Sequence, residues 1–421
     1  MTQDHHRRNV FWLASVESGW GLAFGVGSAH ILLPVFLREL GATATVIALI
    51  PAVMSLGHTL PQLLTPWFTG HLESKKASTF WWHMVPGTIL AGGPLYFLFV
   101  KTQGPFDSFD RGLYLFFFAL STCVVGFAIP LWLEFLNRTL DPASRGTGVG
   151  IIFTTQNFFS AVGSGAASWL LAHTLPFPGN YALCFLLTAF FMCAANFGFI
   201  PVRERPHSAP AEPRKPFLPY LRHFFEVLAR EPLLRMYLLS RLCMQVYPAL
   251  VSFYAVYAAD SFGATGSDAA LLSMVFLASQ TLASVLTGWL GDRFGHGLVV
   301  TGGILCLAAG MVCVLFASSM VSFYVASVFA GFFFATFIVA HINWVMELAP
   351  EGDKTLYLSV PGVALAPAMV GAPMLLGWWI DHWSYRSALA ASLIVVGLGF
   401  LLALRTLRRE RAERRRVLAA A

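Results

Sequence analysis

The chain has 421 residues, of which 57% are apolar and 11% charged, with a net charge of +6. A soluble domain carries roughly a quarter charged residues, so a water-soluble fold is excluded, whereas a bilayer accepts apolar side chains on the outside of a protein. The positive balance does not point to nucleic acid, because the basic residues fall where membrane topology requires them.

A membrane span needs about 20 largely apolar residues. Twelve such runs are predicted, near 10–37, 44–70, 80–100, 112–138, 148–172, 181–201, 233–259, 268–290, 298–318, 321–347, 355–380 and 386–406. The first follows a polar, basic stretch, Met1–Asn9, and is too long for the core of a cleaved signal, so it is expected to stay as a span. Most connections are short, so neighbouring spans run antiparallel.

The fold class predicted is an all-α membrane protein with twelve transmembrane helices in two six-helix halves. The longest polar segment, Arg203–Pro232, divides them. It begins Pro-rich, as a linker does. It then places Leu221, Phe224, Phe225 and Leu228 at helical spacing over Tyr220–Arg230, the pattern of a short amphipathic surface helix. The expected organisation is a first bundle over 1–202, a cytoplasmic linker over 203–232, a second bundle over 233–408 and an Arg-rich cytoplasmic tail over 409–421.

Charge sets the orientation. With both termini in the cytoplasm, only Arg38, Lys101, Arg111 and Arg386 of the 27 Lys and Arg residues fall outside, and Arg241 lies within a span. That asymmetry fits a multi-pass protein of a bacterial inner membrane. The two halves also echo each other at a constant offset of 222 residues: Gly41-Ala42-Thr43 matches Gly263-Ala264-Thr265, Ala48-Leu49 matches Ala270-Leu271, and Thr65 and Trp67 match Thr287 and Trp289. A duplicated six-helix unit is a common plan of secondary transporters.

Charges inside a bilayer cost about 2.5–3.5 kcal/mol on insertion scales and usually face the protein interior. Glu17 and Arg241 each lie about eight residues into their spans, the first and the seventh. Other polar side chains form stripes: Ser55, His58, Thr59 and Gln62 on the second span; Gln156, Asn157, Ser160, Ser164 and Ser168 on the fifth; Gln245 below Arg241; Gln280 and Ser284 on the eighth; Thr336, Asn343 and Glu347 on the tenth. The Ser stripe reads as helix packing. Gln62, Gln156, Asn157, Gln245, Gln280 and Asn343 are candidates for a solute cavity. His30, His58, His83 and His341 are intramembrane and are read as hydrogen-bonded structural residues. Six cysteines sit in apolar runs without a CxxC pair, and no His cluster has metal spacing. Neither a nucleophile–base set nor a phosphate-binding loop is present, so no metal, cofactor or enzymatic activity is expected.

After the eighth span the chain reads Gly288-Trp-Leu-Gly-Asp292-Arg293-Phe-Gly295-His-Gly. This resembles the GxLxDRxGRK loop of the major facilitator superfamily. It matches at Gly288, Leu290, Asp292, Arg293 and Gly295 and departs at His296 and Gly297. The corresponding first-half loop, Pro66–Lys76, keeps only Lys75 and Lys76. In topology the resemblance covers nearly the whole chain.

The resemblance implies a secondary transporter that moves a small solute by alternating access, with spans 1 and 7 lining a central cavity. Glu17 would then carry a coupling proton, and Arg241 would hold an anionic group or pair with Glu17. A static ion pair that stabilises packing is the alternative. Asp292 is expected at a helix N-terminus, where unpaired amides favour negative charge, with Arg293 paired to Glu347 as a cytoplasmic latch. Glu134 is expected to reach Arg138 or Arg145 in a similar role. An aromatic-rich interior favours export of an amphiphilic organic solute by a monomer. Proton-coupled uptake of a small organic anion and lipid or lysolipid translocation remain open.

Overall fold

A computed structural model describes residues 3–65, 74–141, 145–204, 226, 228–348 and 354–420. The described residues form helices and turns with no strand. Where they are described, all twelve predicted runs are helical in the order expected. Among the described residues, eight helices are long and apolar enough to cross a bilayer by length and composition. The other four runs miss that measure for local reasons. The first is broken into Gln3–Val26 and Leu32–Glu39, and the third into Lys76–Leu90 and Gly92–Phe99. The second is described as helix over Ala44–Thr59, and the fifth, Arg145–His173, carries the polar stripe.

The breaks follow proline chemistry. Proline lacks a backbone N–H, and its ring crowds the carbonyl four residues earlier. Pro34 stands four residues after His30 in the first break, and Pro94 four residues after Leu90 in the third. Pro248 stands four after Met244, where the seventh span tightens into the 3₁₀ turn Met244–Val246 between Pro232–Cys243 and Tyr247–Phe262. The tenth span is interrupted differently. Between Met320–Ala335 and His341–Leu348 it widens into a π turn, Thr336–Ala340. The eleventh stays one helix, Lys354–His382, through Pro361, Pro367 and Pro373. Of the amphipathic helix expected over 220–230, only 226 and 228–230 are described, and they are helical.

The internal repeat is visible in local geometry. Gly41 and Gly263, 222 positions apart, end their helices with positive φ, +81° and +68°, a conformation that glycine alone adopts freely. The next helix starts alike in both halves: the Thr43 hydroxyl accepts from the amide of Val46 and the Thr265 hydroxyl from that of Asp268, both at 3.3 Å.

Contacts divide the chain into two compact units, one of 1–211 with 252–278 and one of 212–251 with 279–421. The division differs from the linker boundary, because the segment 252–278 of spans 7 and 8 packs with the first unit. In that unit the first and fifth spans approach backbone to backbone. A Cβ at Gly21 or Gly25 would fall onto the carbonyl oxygen of Gln156 or Ser160. The Ser stripe is spent on packing: Ser164 donates to the Gly25 carbonyl at 2.9 Å and meets the Ser273 hydroxyl at 3.2 Å, and Ser168 meets Ser267 at 2.8 Å. Arg38 and Asp260, also 222 positions apart, pair at 2.9 Å. Phe36 is fully buried among the rings of Phe97, Tyr114, Tyr181 and Phe185, with centroids 5.2–5.4 Å away.

The second unit is organised around Trp344. Its ring meets Tyr237 edge-on at 5.3 Å, and its indole N–H donates to Glu410 at 2.8 Å. Large apolar side chains such as Phe11, Trp81, Leu282 and Ile394 are more than 60% exposed. An exposed apolar surface of this kind is what a lipid-facing helix presents.

Candidate functional site

The first unit holds a cavity of about 340 Å³. Trp20, Phe24, Trp132 and Phe153 line it, with Glu17, Gln156, His58 and His83 as its polar groups. Glu17 is the one carboxylate on the wall. It is 6% exposed, and the Gln156 side-chain amide donates to it at 2.5 Å. This pairing needs the close approach of spans 1 and 5 that Gly21 permits. Trp20, one turn beyond Glu17, is held by its N–H bond to Asn196 at 3.0 Å and packs edge-on against His83 at 5.6 Å. His83 is itself tied to the Thr79 carbonyl at 2.7 Å. The aromatic wall is therefore a fixed surface, and the carboxylate on it is the polar group least encumbered by its own helix.

Of the remaining cavity candidates in this unit, Gln62 turns back to the His58 carbonyl at 2.5 Å, and Asn157 is half-buried away from the lining. Both therefore lie outside the cavity that Glu17 faces. In the second unit, Arg241 is 8% exposed, with its guanidinium carbon 3.8 Å from the centre of the Phe337 ring. Gln245 donates to the Arg241 carbonyl at 3.2 Å, and Asn343 to the Val339 carbonyl at 3.0 Å. Gln280 is buried, with its side-chain oxygen lacking a hydrogen-bond partner among the described residues. Glu17 and Arg241 belong to different units, and each has its own set of neighbours.

The charges at the cytoplasmic ends differ from the expectation in one pairing. Glu347 meets His296, not Arg293, at 2.6 Å. The cause is the turn at Gly295, whose φ of +90° redirects the chain so that the ninth span, His296–Leu315, starts with its histidine against the tenth. Arg293 makes no ion pair with a described residue and lies 5.5 Å from the ring centres of Trp289 and Phe294. Asp292 is 84% exposed and 3.9 Å from His296. Glu134 bonds Arg138 at 2.5 Å, as its i,i+4 spacing suggested, and Lys75 at 3.4 Å. The Arg145 side chain lies outside the described residues.

Sequence reasoning missed Glu204. Its carboxylate accepts from the backbone amides of Lys75 and Lys76 at 2.9 and 3.1 Å and from Arg138 at 3.3 Å. It thus occupies the kind of helix N-terminal position anticipated for Asp292. The only sequence signal was an acidic residue at the start of the linker. Burial lowers the Lys76 ammonium below its ordinary range, partly offset by the nearby Glu204 charge. Past the other end of the first span, burial raises the Glu39 carboxyl, against the Tyr181 hydroxyl that donates to it at 2.5 Å.

Residues 249–421 match the profile of the Major Facilitator Superfamily. Among curated proteins, the uncharacterized MFS-type transporter YfnC of Bacillus subtilis is 28% identical over 153 residues, 36% of this chain and 37% of that protein. The uncharacterized MFS-type transporter Rv1877 of Mycobacterium tuberculosis is 26% identical over 113 residues, 27% of this chain and 16% of that protein. The matches thus span well under half the length of these relatives. Among solved structures, the nucleoside transporter NupG aligns with a TM-score of 0.68 at 12% identity, over 95% of this chain and 98% of that one. A D-xylose-proton symporter aligns at 0.69 with 16% identity over 96% and 97%. The POT family transporter PepTSo aligns at 0.70 with 13% identity over 96% and 98%. At such identities the likeness is one of fold.

Proposed function

We propose that the chain is a member of the major facilitator superfamily, whose profile residues 249–421 match, and that it works as a secondary transporter. It moves a small organic solute by alternating access, coupled to protons, with export as the favoured direction. The observation that carries this reading is Glu17: a buried carboxylate on the wall of an aromatic-lined cavity, with Gln156 as its side-chain partner. An intramembrane carboxylate is costly and marks an ion or substrate path by default. A carboxyl group that faces a cavity can gain and lose a proton as solvent access alternates. The surrounding rings supply apolar surface for an amphiphilic solute. Its membrane is a bacterial inner membrane, with both termini in the cytoplasm and the monomer as working unit; the charge asymmetry and the bacterial relatives support this placement.

The test is movement in proteoliposomes. The purified chain is reconstituted, a pH gradient is imposed, and a panel of amphiphilic organic solutes is followed. At least one solute is expected to accumulate against its own gradient and to stop when a protonophore collapses the pH difference. Accumulation that follows a sodium gradient and ignores the pH gradient would overturn the coupling.

A further inference from the structure

The second unit contains a buried cation with unused donors. Arg241 is more than nine-tenths buried, and its Nε and Nη1 groups have no hydrogen-bond partner among the described residues. Its face is covered by Phe337 at 3.8 Å. That contact compensates part of the charge but accepts none of the N–H bonds. Beside it, His341 is 2% exposed, and neither ring nitrogen has a hydrogen-bond partner among the described residues. A neutral imidazole always carries one N–H donor. The His341 ring packs against Phe337 at 5.9 Å and Tyr237 at 5.8 Å, and its backbone carbonyl accepts the Tyr237 hydroxyl at 3.3 Å.

Buried donors are almost always satisfied in native proteins, and an exception calls for a partner. The described carboxylates of this unit do not supply one: Glu347 is engaged by His296, Glu410 by the Trp344 indole, and none of them pairs with Arg241. The backbone adds a second indication. Phe337 lies within the π turn Thr336–Ala340 and His341 directly follows it, and π turns within helices occur frequently at functional sites.

We propose that Arg241 and His341 bind the carboxylate of an aromatic organic acid, with Phe337 and its stacked neighbour Phe334 beside the ring. The planar guanidinium fork matches a carboxylate in two parallel bonds. The Phe334–Phe337 stack, 6.3 Å between centroids, is an apolar surface for the rest of the molecule. A cationic amine finds only a like charge here. The proposal rests on the transporter reading and names the chemical class of its solute.

Binding is measured on the full chain in detergent, without any gradient, so that failure of this site and failure of transport are told apart. Thermal unfolding is followed by the fluorescence of the 12 tryptophans, with benzoate or benzylamine added at constant chloride. Benzoate is expected to raise the unfolding temperature in a saturable way, and benzylamine to leave it unchanged. Arg241→Gln should abolish the benzoate shift. Arg241→Lys, which keeps the charge and loses the fork, should raise the half-saturating concentration about fivefold. His341→Phe, which keeps the ring packing, should raise it about threefold and provides a second route if Arg241→Gln does not fold. An equal benzoate shift in Arg241→Gln and wild type, or in His341→Phe and wild type, would overturn the proposal. So would benzylamine stabilising as well as benzoate.

Discussion

The surroundings of Glu17 and of Arg241 make an instructive pair. Both charges sit at similar depth in spans that the 222-residue repeat relates, and both are buried. Their environments are opposite in kind. Glu17 has a side-chain partner in Gln156 and faces a defined cavity. Arg241 lies over the Phe337 ring, with its Nε and Nη1 unpartnered among the described residues. A partnered carboxylate at a cavity wall is suited to exchanging a proton, whereas an unpartnered guanidinium on an aromatic face is suited to receiving an anion.

The largest effect expected from this contrast falls on coupling. Glu17→Gln keeps the shape and the Gln156 contact and removes the titrating proton. Gradient-driven accumulation should fall by about tenfold or more, the change that roughly 1.4 kcal/mol of lost coupling represents. Solute exchange without a gradient should persist in the same proteoliposomes. Full accumulation in this variant would erase the distinction between the two charges.

A second contrast sets the tight seam of spans 1 and 5 against an open face of the second unit. Gly25→Ala places a Cβ on the Ser160 carbonyl, and overpacking of this kind costs about 1–3 kcal/mol. Gly302→Ala meets nothing within 4 Å and should leave the unfolding temperature unchanged or slightly higher. Equal behaviour of the two would mean that the seam is looser than described.

The cytoplasmic charges give a smaller effect. Loss of His296 removes its 2.6 Å bond to Glu347, so His296→Ala should destabilise by about 1–2 kcal/mol, whereas Arg293→Ala should stay within about 0.5 kcal/mol. The reverse order in thermal unfolding would restore the Arg293–Glu347 pairing. Smallest of all is the Arg38–Asp260 pair. Its side chains are 38% and 23% exposed, and a double-mutant cycle with Arg38→Ala and Asp260→Ala should give a coupling below about 1 kcal/mol.

Sequence and structure agree most where the physics is additive. Apolar runs of span length locate the twelve helices, because each run is set by its own composition. Gly41 and Gly263 stood out in the sequence only as a matched pair, and the structure supplies the reason: a helix end that needs positive φ selects glycine locally. Helix breaks were less legible. Pro34 and Pro94 follow real breaks, yet Pro367 and Pro373 sit inside one continuous helix, so proline alone does not decide. The pairing of charges was least legible. Glu347 lies within reach of both Arg293 and His296 on the sequence pattern, and the turn at Gly295 selects the histidine. Glu204 joins Lys75 across 129 positions, a distance over which no periodicity carries information. The cavity residues divide similarly. Gln156 reaches Glu17 because glycines let two backbones touch, whereas Gln62 is satisfied by its own helix.

Coupling is tested most directly by reversing the force. Proteoliposomes without an initial pH difference receive a solute gradient, and a trapped pH dye reports the lumen. The solute gradient is expected to drive a change in lumenal pH with the wild-type chain and none with Glu17→Gln. Solute movement that leaves lumenal pH unchanged in the wild type, or an equal pH change in both chains, would contradict a proton carried by Glu17.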